Sequence, residues 1–181
     1  MLLALACARG ARGQAMVLRL DPARTRLDIT LGATMHTVRG TFALKQGEVR
    51  FDPASGKVSG EIVFDATSGK TGNDSRDQKM HAEVLQSGQY PEIRFRLDRV
   101  EGSVAGAGSS SVQVHGQFGI HGADHEMNIP VVVVLNPQDW TAEARFSIPY
   151  IEWGLKNPST FLLRVAKTVD VELHAAGAVS R

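Results

Sequence analysis

A chain of 181 residues is long enough for one domain with a substantial core. Its 20 Lys and Arg against 19 Asp and Glu leave a formal charge of +1, too small to supply the broad field of a dedicated nucleic-acid binder. Hydrophobic residues at 43%, charged residues at 22% and 18 glycines suit a turn-rich globular fold, and a lone cysteine, Cys7, excludes an internal disulfide framework or a multi-cysteine zinc knuckle.

Met1 to Ala8 reads MLLALACA and Arg9 to Ala15 reads RGARGQA. A short apolar run followed by small residues has the order of a secretory h-region and c-region, although the basic n-region is missing. Residues 1–16 are therefore expected to be a signal segment, truncated at its start, and residues 17–181 the folded domain. The expected location is periplasmic or secreted. Lipidation of Cys7 is the alternative, but Ala4 stands where a lipobox usually has Leu. Nowhere does an apolar run approach the roughly 18 residues of a spanning helix.

From Val17 onward the dominant spacing is period two, which puts alternate side chains on opposite faces of a strand. Thr25, Leu27, Ile29 and Leu31 share one face against Arg26, Asp28 and Thr30. Strands are expected next at Val38 to Leu44 and Gly47 to Phe51, followed by a turn at Asp52 to Gly56. Val58, Gly60, Ile62 and Phe64 then oppose Ser59, Glu61 and Asp65. Asn73 to Ser87 breaks the pattern: Asn73 or Asp74 can cap a helix that brings Met80, Val84 and Leu85 onto one face. Alternation resumes with Ile93, Phe95 and Leu97, and again with Val112, Val114, Phe118 and Ile120. Glu126 to Leu135, Ala142 to Ile151 and Val165 to Leu173 complete the strands, separated by turns at Gly102 to Ser111, His121 to Asp124 and Asn136 to Asp139.

About eight antiparallel strands with one short helix make an all-β sandwich or a closed barrel, and closure removes exposed edges. A barrel of that size is either filled by its own side chains or holds one slender ligand. Gly60 and Gly116 are expected to leave room in the lumen, making a long apolar guest the alternative to a packed core.

Met35-His36-Thr37-Val38-Arg39-Gly40-Thr41-Phe42, Gly47-Glu48-Val49-Arg50-Phe51-Asp52, Asn73-Asp74-Ser75-Arg76-Asp77, Tyr90-Pro91-Glu92-Ile93-Arg94-Phe95 and Phe118-Gly119-Ile120-His121-Gly122 follow one another in the chain. This ordered set, spanning Leu18 to Leu173, resembles the YceI-like family; Lys79-Met80-His81 departs from the His-Leu of many members. The resemblance implies a closed antiparallel lipocalin-like β-barrel, periplasmic or secreted, that binds rather than catalyses. Its implied ligand is a polyisoprenoid or isoprenoid quinone, with peripheral membrane contact a further expectation.

Each methylene removed from water contributes about 0.8 kcal/mol, so a prenyl chain gains affinity from a dry lumen. The register places Leu27, Ile29, Ile62, Phe64, Phe95, Val114, Gly116 and Phe118 inward, together with Ile129, Val131, Val133, Phe146, Ile148, Val169 and Val171. Arg76 has two readings. It can guide a polar lipid head, or it can join Asp77 in capping the helix and tying it to a strand by an ion pair.

Histidines raise a different class of function. His36, His81, His121 and His125 suggest a metal-binding protein or metal-dependent enzyme, with His121 and His125 facing each other across a hairpin. No third ligand is defined. The chain has no Gly-x-Ser-x-Gly elbow, no Gly-x-x-x-x-Gly-Lys loop and no His-Glu-x-x-His helix, and it is read as non-enzymatic. A secreted structural barrel without a ligand is the remaining alternative.

Overall fold

The computed structural model describes residues 15–34, 36–160 and 164–180. Apart from Ala15 and Met16, the expected signal segment, with Cys7, lies outside the described residues.

Nine strands form one antiparallel sheet among the described residues: β1 (Met16–Leu20), β2 (Arg26–Gly32), β3 (Thr37–Phe51), β4 (Val58–Lys70), β5 (Glu92–Glu101), β6 (Gly108–Ile120), β7 (Ala123–Leu135), β8 (Asp139–Ile148) and β9 (Val169–Ser180). From β2 the hydrogen bonding runs through β9, β8, β7, β6, β5, β4 and β3 and back to β2, so the sheet closes into a barrel. β1 continues the place of β2 along the barrel, pairing with the far halves of β3 and β9. Nine strands therefore occupy eight positions around the ring.

The break between β1 and β2 follows from local chemistry. Pro22 lacks the N–H a ladder needs, and Asp21 folds the chain outward: its carboxylate accepts from the Ala23 N–H at 2.9 Å and its carbonyl from the Arg24 N–H at 3.1 Å. β3, expected as two strands, is continuous, with irregular register against β4 between Thr41 and Ala43 and between Leu44 and Gln46. Two further boundaries move. β8 stops at Ile148 because Pro149 cannot extend the ladder, and β9 runs from Val169 to Ser180, through Ala175-Ala176-Gly177, where small side chains carry no alternating signal.

The two-residue turn between β6 and β7 has both central residues at positive φ, His121 at 52° and Gly122 at 78°, the type I′ geometry whose twist matches the flanking strands. Between β4 and β5 lies the expected helix, shorter than predicted: α1 (Asp74–Lys79) passes into one π-helical turn, Met80–Val84. Asn73 caps it, its side-chain oxygen accepting from the Arg76 N–H at 2.9 Å. All strand ends adjoining α1, the β2–β3 connection and the segment after Ile148 lie at one end of the barrel. This is the mouth. The opposite end, where β8 starts, is the floor.

Candidate functional site

Inside the barrel is a cavity of about 610 Å³ that runs from mouth to floor. Leu27, Ile29, Ile62, Phe64, Phe95, Val114, Phe118, Ile129, Val131, Val133, Phe146, Ile148, Val169 and Val171 all line it, and Arg76 joins them at the mouth. Ile29, Phe95, Val131, Phe146 and Val169 are only half-buried although they face inward. Inward side chains that stay accessible mark a hollow lumen, since a filled barrel would bury them against one another.

Gly116 is the exception among the residues expected in the wall: it does not border the cavity. A Cβ there would meet the Arg96 carbonyl oxygen at 2.2 Å and the Phe95 ring at 3.0 Å. Gly60 is similar, with the Glu48 carbonyl 2.3 Å from the Cβ position. Both glycines admit close approach of a neighbouring strand and leave no lumenal space, correcting the expectation that they thin the wall.

The mouth is built from segments between strands. Thr71, directly after β4, organises it: its N–H donates to Asp77 Oδ1 at 2.9 Å, its hydroxyl also donates to Asp77, and Arg76 donates through Nε to the Thr71 hydroxyl and through Nη2 to the Thr71 carbonyl, each at 2.7 Å. Arg76 and Asp77 thus clasp the turn into α1 through Thr71. The expected ion pair to a strand is replaced by hydrogen bonds that hold the guanidinium at the cavity wall.

The π-helical turn presents Met80 and Val84 to the lumen, with buried Leu85 beyond them. His81 fastens this turn: Nε2 donates to the Gly69 carbonyl at 2.9 Å, leaving Nδ1 to accept from the Ser87 hydroxyl at 2.9 Å. Across the mouth, Lys156 donates to Glu83 at 2.6 Å, which holds the Glu83 carboxyl below its usual range. Buried Tyr150 donates its hydroxyl to the Ala166 carbonyl at 2.8 Å, and burial pushes its ionisation up.

The histidines do not converge. His36 borders the mouth, while His121 sits in the turn against Tyr90, ring centroids 4.7 Å apart. His125 pairs with Phe118 in the ladder and stacks on Trp153 at 4.0 Å. The expected facing of His121 and His125 is therefore absent, and no group of three metal-ligating side chains occurs among the described residues. His115 lies between Asp98 and Glu126, 2.6 Å from each, and these carboxylates, Asp98 first, raise its pKa.

Several lining residues escaped sequence reading. Lys79, Thr71, Ser75, Tyr150 and Leu155 lie in a short helix or in loops, where no long periodic pattern exists. Trp140 was legible in principle as the first inward residue of the series Trp140, Ala142, Ala144, Phe146, Ile148.

The YceI-like domain model matches residues 18–176. Among solved structures, BcnA from Burkholderia cenocepacia superposes with a TM-score of 0.71 at 19% identity, covering 87% of this chain and 99% of its own. A polyisoprenoid binding domain from Saccharophagus degradans, implicated in plant cell wall breakdown, gives 0.70 at 16% identity, covering 90% and 98%. The YCEI protein of Campylobacter jejuni gives 0.65 at 14% identity, covering 82% and 88%. At these identities the likeness is one of fold. No curated protein matches the sequence.

Proposed function

The chain belongs to the YceI-like family, and from that premise we propose that it binds a long-chain polyisoprenoid or isoprenoid quinone in the barrel lumen, as a periplasmic or secreted carrier or store. The observation that carries this reading is the hollow apolar lumen, whose inward side chains remain accessible. Its shape suits a slender chain, since an elongated guest can contact all eight positions of the ring at once. The likeness to a polyisoprenoid binding domain points to the same ligand class. Binding needs no reacting group, and among the described residues the polar side chains of the lumen wall stand at the mouth, apart from the Trp140 indole.

Lipid extraction from protein purified out of an exporting host, followed by mass spectrometry, tests the proposal. One prenyl lipid per chain is the expected result. Delipidated protein that takes up neither a polyprenol nor a prenyl quinone would overturn it. The location is tested by fractionating the host and measuring the mature mass, with cleavage near Met16 expected and a cytoplasmic chain retaining Met1 counting against export.

A further inference from the structure

One pair of strands separates before it reaches the mouth. β7 and β8 are matched only from Val131 with Ala144 to Leu135 with Trp140, the half nearer the floor. Beyond that, residues 123–130 of β7 are laddered to β6 alone and residues 145–148 of β8 to β9 alone, so two strand edges face each other unpaired. The split begins at Pro130. Its ladder to β6 runs on through Gln113, so the N–H that proline lacks is missing on the side of β8, where Arg145 would be the next partner. Ile129, Phe146 and Ile148, on the two edges, all border the lumen.

An aromatic ring bridges these edges. After β8 the chain turns back, the Trp153 N–H donating to the Pro149 carbonyl at 3.1 Å, and the indole stacks on His125 of β7 with centroids 4.0 Å apart. The same ring meets Phe118 at 5.7 Å, and Phe118, which borders the lumen, meets Phe146 of β8 at 6.3 Å. Trp153 stands behind that layer and does not itself border the cavity. Its neighbours are pinned by hydrogen bonds, Tyr150 to the Ala166 carbonyl and Lys156 to Glu83, whereas among the described residues the indole and the His125 ring are held by contact alone. His125 Nε2 is buried without a partner. Stacked rings part without breaking a hydrogen bond, and parting returns that nitrogen to water.

We propose that the gap between β7 and β8 is a side entrance to the lumen and that the Trp153 ring is its door. A long chain entering a closed barrel from the end must thread every isoprene unit through the mouth, whereas a split wall lets it lie in sideways once the covering ring swings clear. The inference rests on the lumen being the lipid site and adds the route by which the lipid enters and leaves.

The test uses the full chain, delipidated, and follows a polyprenol passing from phosphatidylcholine vesicles into the protein and back, together with its equilibrium affinity. Trp153→Ala should speed uptake and release about fivefold each and keep the affinity within about twofold, because a door changes rates and not the states it separates. Pro130→Val, at an exposed position, restores the N–H, lets the ladder continue to Arg145 and should slow both rates about threefold. Rates unmoved by both variants overturn the side entrance and leave lumenal binding intact. Faster release without faster uptake in Trp153→Ala is a loss of affinity, which would make Trp153 part of the binding wall and also overturn it. Should Trp153→Ala fail to fold, Pro130→Val decides alone: slower exchange at equal affinity supports the entrance, and unchanged exchange overturns it. If the parent takes up no polyprenol, the lumenal reading itself fails and the entrance with it.

Discussion

At the floor, Met16, Leu135 and Trp140 are no more than 3% exposed, and the one polar side-chain group bordering the cavity there is the Trp140 indole N–H, buried without a partner among the described residues. At the mouth, Thr71, Arg76, Lys79 and Asn73 share the wall, and an exposed ion pair, Lys156 with Glu83, spans two segments. The floor is made where β1 joins β3 and β9 in continuous ladders. The mouth is made from a short helix and loops held by side-chain hydrogen bonds. Cooperative packing should therefore concentrate at the floor, and specificity at the mouth, where side chains can change without disturbing the ladders.

Truncating the floor should do the most damage. Trp140→Ala removes a buried indole and leaves a void that paired strands cannot collapse to fill, so it should cost about 3–5 kcal/mol in urea unfolding. A smaller loss than that of any mouth variant would reverse the comparison.

The wall between the two ends comes next. Gly116→Leu, which would fill the lumen if Gly116 bordered it, instead forces a side chain against the Arg96 backbone and should destabilise by about 3 kcal/mol. Reduced lipid uptake by a variant as stable as its parent would restore the lumenal assignment of Gly116.

That position shows how far the sequence could be read. Period two is set by the pleat, so the inward parity of Leu27, Phe95, Phe118 and Phe146 was visible without coordinates. Parity does not say what lies beyond a missing Cβ, and at Gly116 and Gly60 it is the neighbouring backbone. The Asn73 cap was legible because an Asn before a polar helix has a local mechanism. Lys79 as a mouth residue and the Lys156–Glu83 contact were not, since they depend on how segments far apart in sequence come together across the barrel end.

At the mouth, Met80→Ala removes a half-buried thioether from the lumen wall and should cost about 1–2 kcal/mol, with a larger proportional effect on lipid retention than on stability. Equal effects on both would mean that Met80 is ordinary core. Glu83→Gln breaks the exposed pair with Lys156 and should leave the Tm unchanged within error at neutral pH. Because Lys156 lowers the Glu83 pKa, whatever the pair contributes is present above the ordinary carboxylate pKa and lost as pH falls through the depressed value. A parent and variant that differ at pH 7 but coincide at pH 3 would show that the pair holds the mouth.

A small net effect is also expected at the floor once its shape is nearly kept. Trp140→Phe deletes part of a ring, which at about 24 cal/mol per Å³ of residual void costs on the order of 1 kcal/mol. It also deletes the indole N–H, and an unpaired buried donor carries a desolvation penalty of about 1–3 kcal/mol that the variant would recover. The two terms oppose, so Trp140→Phe should unfold within about 1 kcal/mol of the parent, far from the loss expected for alanine. A cost of about 3 kcal/mol would mean that the N–H is hydrogen-bonded in solution to a group inside the lumen. Repeating the measurement on delipidated protein then identifies that group: a penalty that vanishes with the lipid places a polar atom of the ligand at the floor, whereas one that persists assigns it to trapped water.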